Sequence, residues 1–172
     1  MVCDATRTRL TTGSLLLTTS NLHERFSHNS SQAIWNAFWE AVNARSDLRA
    51  VLSVMQLQGF GASVDQNTGQ RRAKVATAVL RFLLPEEWGV VDWRTTSMLA
   101  ELEKCNWDID QAIMGARSRK PKNLRSKHEI MNEAMVCEVN RKYRAKRTAP
   151  PLARAADVDM AIFGLSVVAW PL

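Results

Sequence analysis

Apolar residues in this chain recur at the three- and four-residue spacing of a helix, and runs that alternate apolar with polar residues are nearly absent. Helical spacing gathers apolar side chains on one face of a helix, whereas strict alternation is typical of half-buried strands. With seven Gly and five Pro in 172 residues, few breaks interrupt these stretches. The pattern predicts an all-α fold, a compact single-domain helical bundle.

Seven helices can be placed along the chain, after an irregular N-terminal arm at residues 1–29 and within a helical domain at 30–172. The first begins at Ser30 or Ser31, and the second is capped by Ser46 and stops at Gly59. The others are expected at about 70–84, from 93, at 106–116, at 123–146 and at 157–168. The side chains expected to face the core include Ile34, Trp35, Phe38, Trp39, Val42, Leu48, Val51, Leu52, Met55 and Trp170.

The cysteines restrict the chemistry open to the chain. Cys3, Cys105 and Cys137 are too widely spaced for the close pairs of zinc or iron–sulfur sites, so we expect no metal and no cofactor. Three dispersed cysteines fit a reducing, cytoplasmic compartment. The apolar run at 15–17 is too short for a signal peptide or a membrane span, although the Thr- and Arg-rich start leaves a transit peptide as an alternative. We expect a monomer without a membrane partner.

Positive charge is concentrated in residues 117–147, which we name the basic segment. It holds eleven Lys and Arg against three Glu, a charge of +8, and because the whole chain carries +6 the remainder sums to −2. Such a local excess can neutralise several phosphates, so we expect a polyanionic partner, with DNA the first candidate. The alternative is a solvated helix whose cations serve only solubility. The eleven are Arg117, Arg119, Lys120, Lys122, Arg125, Lys127, Arg141, Lys142, Arg144, Lys146 and Arg147.

Three features follow one another between about residue 46 and residue 94. A helix ends in Gly-Phe-Gly at 59–61, the next helix contains Arg-Arg-Ala-Lys-Val-Ala-Thr-Ala-Val-Leu, and Trp-Gly-Val-Val-Asp-Trp-Arg follows at 88–94. Lys74 and Asp92 are 18 residues apart in this arrangement. The order resembles the helix-hairpin-helix DNA glycosylase superfamily over about residues 34–107, and more weakly at 155–162.

The resemblance implies a base-excision-type protein that acts on duplex DNA. Asp92 would stabilise the positive charge that forms on the sugar when a base leaves, or orient the nucleophile. Lys74 would attack the anomeric carbon and form a Schiff base. Trp88 and Trp93 are candidates for holding a flipped base. Residues expected to contact DNA, from this stretch and from the basic segment, are Gly59, Gly61, Arg71, Arg72, Arg94, Arg117, Arg119, Lys120 and Lys122.

The hairpin departs from the family in its spacing, because Gly61 precedes Lys74 by 13 residues where the family has only a few. Either residues 62–70 enlarge the loop, or the phosphate-binding function is gone. Each candidate also has a structural interpretation. Lys74 can be a solvated side chain, Asp92 a plain helix cap, and Gly59 with Gly61 an ordinary turn.

Two further functions stay open at this point. The first is a non-catalytic nucleic-acid-binding or scaffolding protein that uses the basic segment alone, without base release. The second is an interaction module, because residues 98–113 look like part of a ubiquitin-associated domain, with a second helix after an Asp-containing turn.

Overall fold

The computed structural model describes residues 27–60, 73–119, 133–148 and 153–171. Within these ranges the chain is helical and contains no strand, which confirms the all-α prediction. No helix of the described ranges is both long and apolar enough to cross a bilayer. The helices are α1 Ser31–Ala44, α2 Leu48–Met55, α3 Lys74–Leu83, α4 Trp93–Lys104, α5 Ile109–Arg117, α6 Glu133–Ala145 and α7 Ala155–Ala169.

Side-chain caps fix where several helices begin. The Ser30 hydroxyl accepts a hydrogen bond from the Ala33 backbone N–H at 3.1 Å, as the sequence predicted for α1. At α2 the prediction was one residue off, because the carboxylate of Asp47 rather than Ser46 accepts from Arg49 N–H at 2.8 Å. A cap of this kind satisfies a backbone donor that has no partner inside the helix and stabilises it by about 1 kcal/mol.

The helices pack around one continuous core. Helices α4, α5 and α7 contact one another, α1 and α3 both pack on α2, and α6 contacts both α2 and α7. Residues 88–92, which we name the connector, join α3 to α4 and lie among these helices. The largest fully buried side chains of the core include Trp88, Tyr143, Met55, Leu80 and Met98.

The first helix buries only part of the face predicted, because Ile34 and Phe38 are half-buried, with Phe38 packed against the core, whereas other predicted positions are exposed. Trp35 and Trp39 are 64% and 57% exposed, and their rings stack on each other with centroids 6.0 Å apart. The buried positions are instead Ala37, Ala41 and Ala44. Small side chains let α1 approach α2 closely, which the two indole rings would prevent.

Outcomes at the other predicted core positions differ between helices. On α2, Val51 and Met55 are buried as expected, whereas Leu48 and Leu52 are more than a third exposed. Trp170 is buried at the end of α7, and its indole N–H donates to the Ala116 carbonyl at 2.9 Å. The prediction that Trp170 lies in the core is therefore confirmed.

Candidate functional site

The fold brings Lys74 and Asp92 together. Lys74 is the first residue of α3, and Asp92 is the residue that caps α4. The Nζ atom of Lys74 lies 3.5 Å from Oδ2 of Asp92. The Lys74 side chain is 59% exposed and that of Asp92 only 9%, so the amine stands at the surface with a recessed carboxylate behind it.

The two oxygens of Asp92 have different environments. Oδ1 accepts hydrogen bonds from the backbone N–H groups of Arg94 at 2.9 Å and Thr95 at 3.0 Å. The Thr96 hydroxyl donates to the backbone carbonyl of Asp92 and holds the same turn. Since the cap engages Oδ1, Oδ2 is the oxygen directed at Lys74. Asp92 is thus a helix cap and the partner of the amine at once.

Side chains from four helices fix the connector that carries Asp92. Four consecutive backbone N–H groups, those of residues 89–92, each donate to a side-chain oxygen of a different helix. Such amides need partners because a buried, unpaired backbone donor is costly. The acceptors, in chain order, are Asn140 on α6 at 2.7 Å, Asp159 on α7 at 3.0 Å, Thr77 on α3 at 3.0 Å and Thr95 on α4 at 3.2 Å.

A buried acid and a buried phenol lie beside the connector. Burial raises the pKa of Asp159 to about 6, although the Val90 N–H and Arg81 act in the opposite direction. Arg81 Nε lies 3.3 Å from Asp159 Oδ2. The Tyr143 hydroxyl donates to the Val90 carbonyl at 3.2 Å, and burial together with the Asp159 charge raises the pKa of Tyr143 well above its ordinary value.

The two tryptophans proposed for a base pocket have different surroundings. Trp88 is fully buried and donates its indole N–H to the Arg45 carbonyl at 2.7 Å. Its ring therefore has no exposed face to offer a base, and its assignment to a pocket is corrected to the core. Trp93 is half-buried, with its ring centroid 5.9 Å from that of Trp170 and the Arg94 guanidinium 4.8 Å from its centroid.

Three arginines expected to contact DNA make contacts within the chain. Arg94 donates to the Trp170 carbonyl at 2.7 Å and Arg117 to the Val168 carbonyl at 3.2 Å, so both bind the C-terminal end of α7. Arg119 forms an ion pair at 2.7 Å with Glu101, whose side chain is 3% exposed. Their described partners give all three a structural role.

The remaining described cations of the basic segment also have partners in the chain. Lys142 pairs with Glu103 at 2.8 Å, and Lys146 Nζ lies 4.1 Å from the centroid of the Trp107 ring. The three others are Arg141 with Glu138, Arg144 with Glu87, and Arg147 with the carbonyls of Arg144 and Glu86. In the described part of the segment, positive charge is thus directed at acids, carbonyls and a ring of the same chain.

The other residues predicted to contact DNA are Gly59, Gly61, Arg71, Arg72, Lys120 and Lys122. Helix α2 ends at Met55 rather than at the predicted Gly59, which lies in the turn that follows with φ 91°, a conformation that favours glycine. In the ranges that the structure describes, no three His, Cys, Asp or Glu side chains are grouped closely enough to hold a metal ion. Gly61, Arg71, Arg72, Lys120 and Lys122 lie outside the described residues.

The site therefore combines an exposed amine, a recessed carboxylate and a connector whose amides are hydrogen-bonded to side chains of four helices. Thr77, Asn140 and Asp159 are its polar supports, and sequence reasoning did not single them out. Comparison with family models, with curated proteins and with solved structures found no match for this chain. The interpretation of the site rests on its geometry and on the order of its motifs.

Proposed function

We propose that this chain is a DNA-binding, base-excision-type protein in which Lys74 and Asp92 act together on an N-glycosidic bond. The observation that carries the proposal is the 3.5 Å separation between the Lys74 amine and Asp92 Oδ2, across 18 residues of sequence. Because the amine is at the surface and the carboxylate lies behind it, an extrahelical sugar would meet Lys74 first and Asp92 second.

The reaction requires proton transfers and a substitution at the anomeric carbon. Lys74 must lose a proton before it attacks, and Asp92 Oδ2 is an acceptor within reach. The Nζ lone pair then forms a bond to the anomeric carbon, and the glycosidic C–N bond breaks with its electron pair leaving on the base, which takes up a proton. Asp92 returns its proton to the leaving base, and the carboxylate so regenerated stabilises the positive charge that develops on the sugar. A proton then moves from Nζ to the ring oxygen as the bond between the anomeric carbon and that oxygen breaks, which leaves a Schiff base between Lys74 and the opened sugar.

The beginning of α3 supports a phosphate partner. The residue before the helix, Ala73, has no side-chain hydrogen bond to the first turn. The first backbone N–H groups of a helix and the positive end of its dipole favour an anion. A DNA backbone phosphate near this turn would bring the sugar to the amine.

The test uses duplexes that each contain one damaged base or one abasic site, with borohydride to reduce any Schiff base. We expect a covalent protein–DNA adduct with the unaltered protein and none with Lys74→Ala. For Asp92→Asn we expect base release to slow by about 100-fold or more, the usual cost of losing a group that stabilises the transition state.

Lys104→Ala is the matched control for the loss of the amine. Lys104 is 65% exposed and lies 3.9 Å from a buried carboxylate, that of Glu101, in an arrangement close to that of Lys74. It lies in the last turn of α4, away from the connector. An adduct that persists in Lys74→Ala, or that disappears equally in Lys104→Ala, would contradict the assignment of Lys74. No release and no adduct with any duplex would refute the proposed function.

A further inference from the structure

The hydroxyl of Thr77 links the helical turn that begins at Lys74 to the connector that carries Asp92. Thr77 lies one turn after Lys74 on α3 and is fully buried. Its Oγ1 donates to the Lys74 carbonyl at 3.0 Å and accepts from the Val91 N–H at 3.0 Å. A threonine inside a helix commonly bonds back to the preceding turn of its own helix, and the second bond to another segment is additional.

We infer that Thr77 is a positioning residue for the Lys74–Asp92 pair, with Asn140 and Asp159 holding the connector from the other side. The catalytic part of this inference rests on the function proposed above. Thr77 touches neither the amine nor the carboxylate. It acts by fixing the backbone of Lys74 relative to that of Val91, the residue before Asp92.

The connector is also held by side chains from helices that do not carry Lys74. Asn140 and Asp159 bind the amides of residues 89 and 90 from α6 and α7, which do not carry Lys74. Only Thr77, among the described acceptors of the connector amides, belongs to the same helix as Lys74. A shift of about 1 Å in a reacting pair can lower the rate about 100-fold, so the position of this hydroxyl matters to the reaction.

Three variants separate positioning from general stability. Thr77→Val keeps the volume and removes the hydroxyl, while Thr77→Ser keeps the hydroxyl. Ser53→Ala is the matched control, because the buried Ser53 hydroxyl donates only to the Ala50 carbonyl of its own helix among the described bonds. If the valine variant does not fold, Thr77→Ala makes the same comparison.

The first readout is single-turnover formation of the borohydride-trapped adduct on a duplex with an abasic site. We expect Thr77→Val to lower the maximal rate by about 100-fold, with the half-saturating DNA concentration little changed. Thr77→Ser is expected to restore the rate, and Ser53→Ala to leave it unaltered. Equal rates in the valine and serine variants would overturn the inference.

The second readout is backbone hydrogen exchange, which needs no activity. In Thr77→Val we expect the amides of residues 90–95 to exchange about tenfold faster, the effect of one lost hydrogen bond, while amides of α1 exchange as before. If the unaltered protein forms no adduct, the proposed function fails and the exchange pattern still decides the positioning role. Unchanged exchange at 90–95, or a uniform increase over the chain, would overturn it.

Discussion

The backbone of Gly89 lies so close to Asp159 that a methyl group on Gly89 would stand 2.5 Å from the Asp159 Cβ. The same methyl group would lie 2.9 Å from the ring of Tyr143. The connector therefore touches α6 and α7 through the only residue type small enough for the space. Close packing, together with the hydrogen bond from Gly89 N–H to Asn140, fixes the register of the segment that ends at Asp92.

Gly89→Ala is expected to lower the free energy of unfolding by about 2 to 3 kcal/mol, because the added methyl group overpacks a filled region. Gly164 on α7 is the matched control, since a methyl group there would meet nothing within 4 Å. Gly164→Ala is expected to raise the free energy of unfolding by about 0.5 to 1 kcal/mol through helix propensity. Urea unfolding of both variants measures the difference, and the same sign for both would contradict the packing described.

The stability is expected to depend on pH through Asp159. Its pKa in the folded protein is about 6, above the ordinary value of 3.8, because burial disfavours the charged form. Between roughly pH 4 and pH 6 the folded protein therefore binds more protons than the unfolded chain. The contribution of Asp159 to the free energy of unfolding falls as the pH rises through this window, by about 3 kcal/mol at most.

Asp159→Asn isolates this contribution, because the amide keeps an acceptor for the Val90 N–H and carries no charge. The unfolding free energy of the unaltered protein minus that of the variant should fall between pH 4 and pH 7. Asp157→Asn serves as a control of opposite sign, since hydrogen bonds from Arg154 lower the pKa of Asp157. For that pair the difference should rise with pH only below about pH 4, because the pKa of Asp157 is lowered from 3.8, and it should stay flat between about pH 4 and pH 7. A flat difference for Asp159→Asn would contradict the prediction.

What the sequence could predict was local. Asp92 caps its helix because a carboxylate beside exposed amides needs no distant partner. That Lys74 and Asp92 lie close together could be predicted for a similar reason, since only one helix and one short connector join them. The face of α1 was not, because periodicity marks an apolar stripe at Trp35 and Trp39 without showing which neighbour will cover it.

Sequence patterns could not identify the side chains that hold the connector in place. Thr77, Asn140 and Asp159 are 14, 51 and 69 residues along the chain from the amides whose hydrogen bonds they accept. Their roles depend on how α3, α6 and α7 meet, which is set by the packing of the whole core. A polar residue inside an apolar helix, such as Asp159, is the one signal that the sequence contains, and it does not identify a partner.

Arg119 is expected to contribute to stability rather than to DNA binding alone. Its guanidinium lies 2.7 Å from Glu101, whose side chain is buried, so Arg119→Ala leaves a buried carboxylate without its closest cation. Because Arg119 itself is partly exposed, we expect a loss of about 2 kcal/mol, below the range for fully buried pairs. Arg141→Ala is the matched control, with the same 2.7 Å to Glu138 but both side chains exposed. The control should change the unfolding free energy much less, because exposed ion pairs contribute little to stability, and equal effects would contradict the prediction.

Arg45 ends α1 in a conformation that favours glycine, with φ 53° and ψ −112°. A non-glycine residue in such a region costs of order 1 kcal/mol or more. The position is retained because the Arg45 carbonyl accepts the Trp88 indole N–H at 2.7 Å and its own N–H donates to Ala41 at 3.0 Å. Arg45→Gly keeps both bonds and removes the strain, so we expect the free energy of unfolding to rise by about 1 kcal/mol.

Arg45→Ala and Trp88→Phe complete the comparison at this turn. Alanine removes the Arg45 side chain without relieving the backbone, so its effect on the free energy of unfolding should be small and not stabilising. Trp88→Phe removes the indole donor and shrinks a fully buried ring, which should cost about 2 to 4 kcal/mol. Thermal unfolding at matched pH ranks the three variants. Because Trp88 also begins the connector, Trp88→Phe should speed hydrogen exchange at the amides of residues 89–92 as well, whereas Arg45→Gly should not. Equal stabilities for the glycine and alanine variants would show that the turn is unstrained and that the Trp88 bond alone sets its shape.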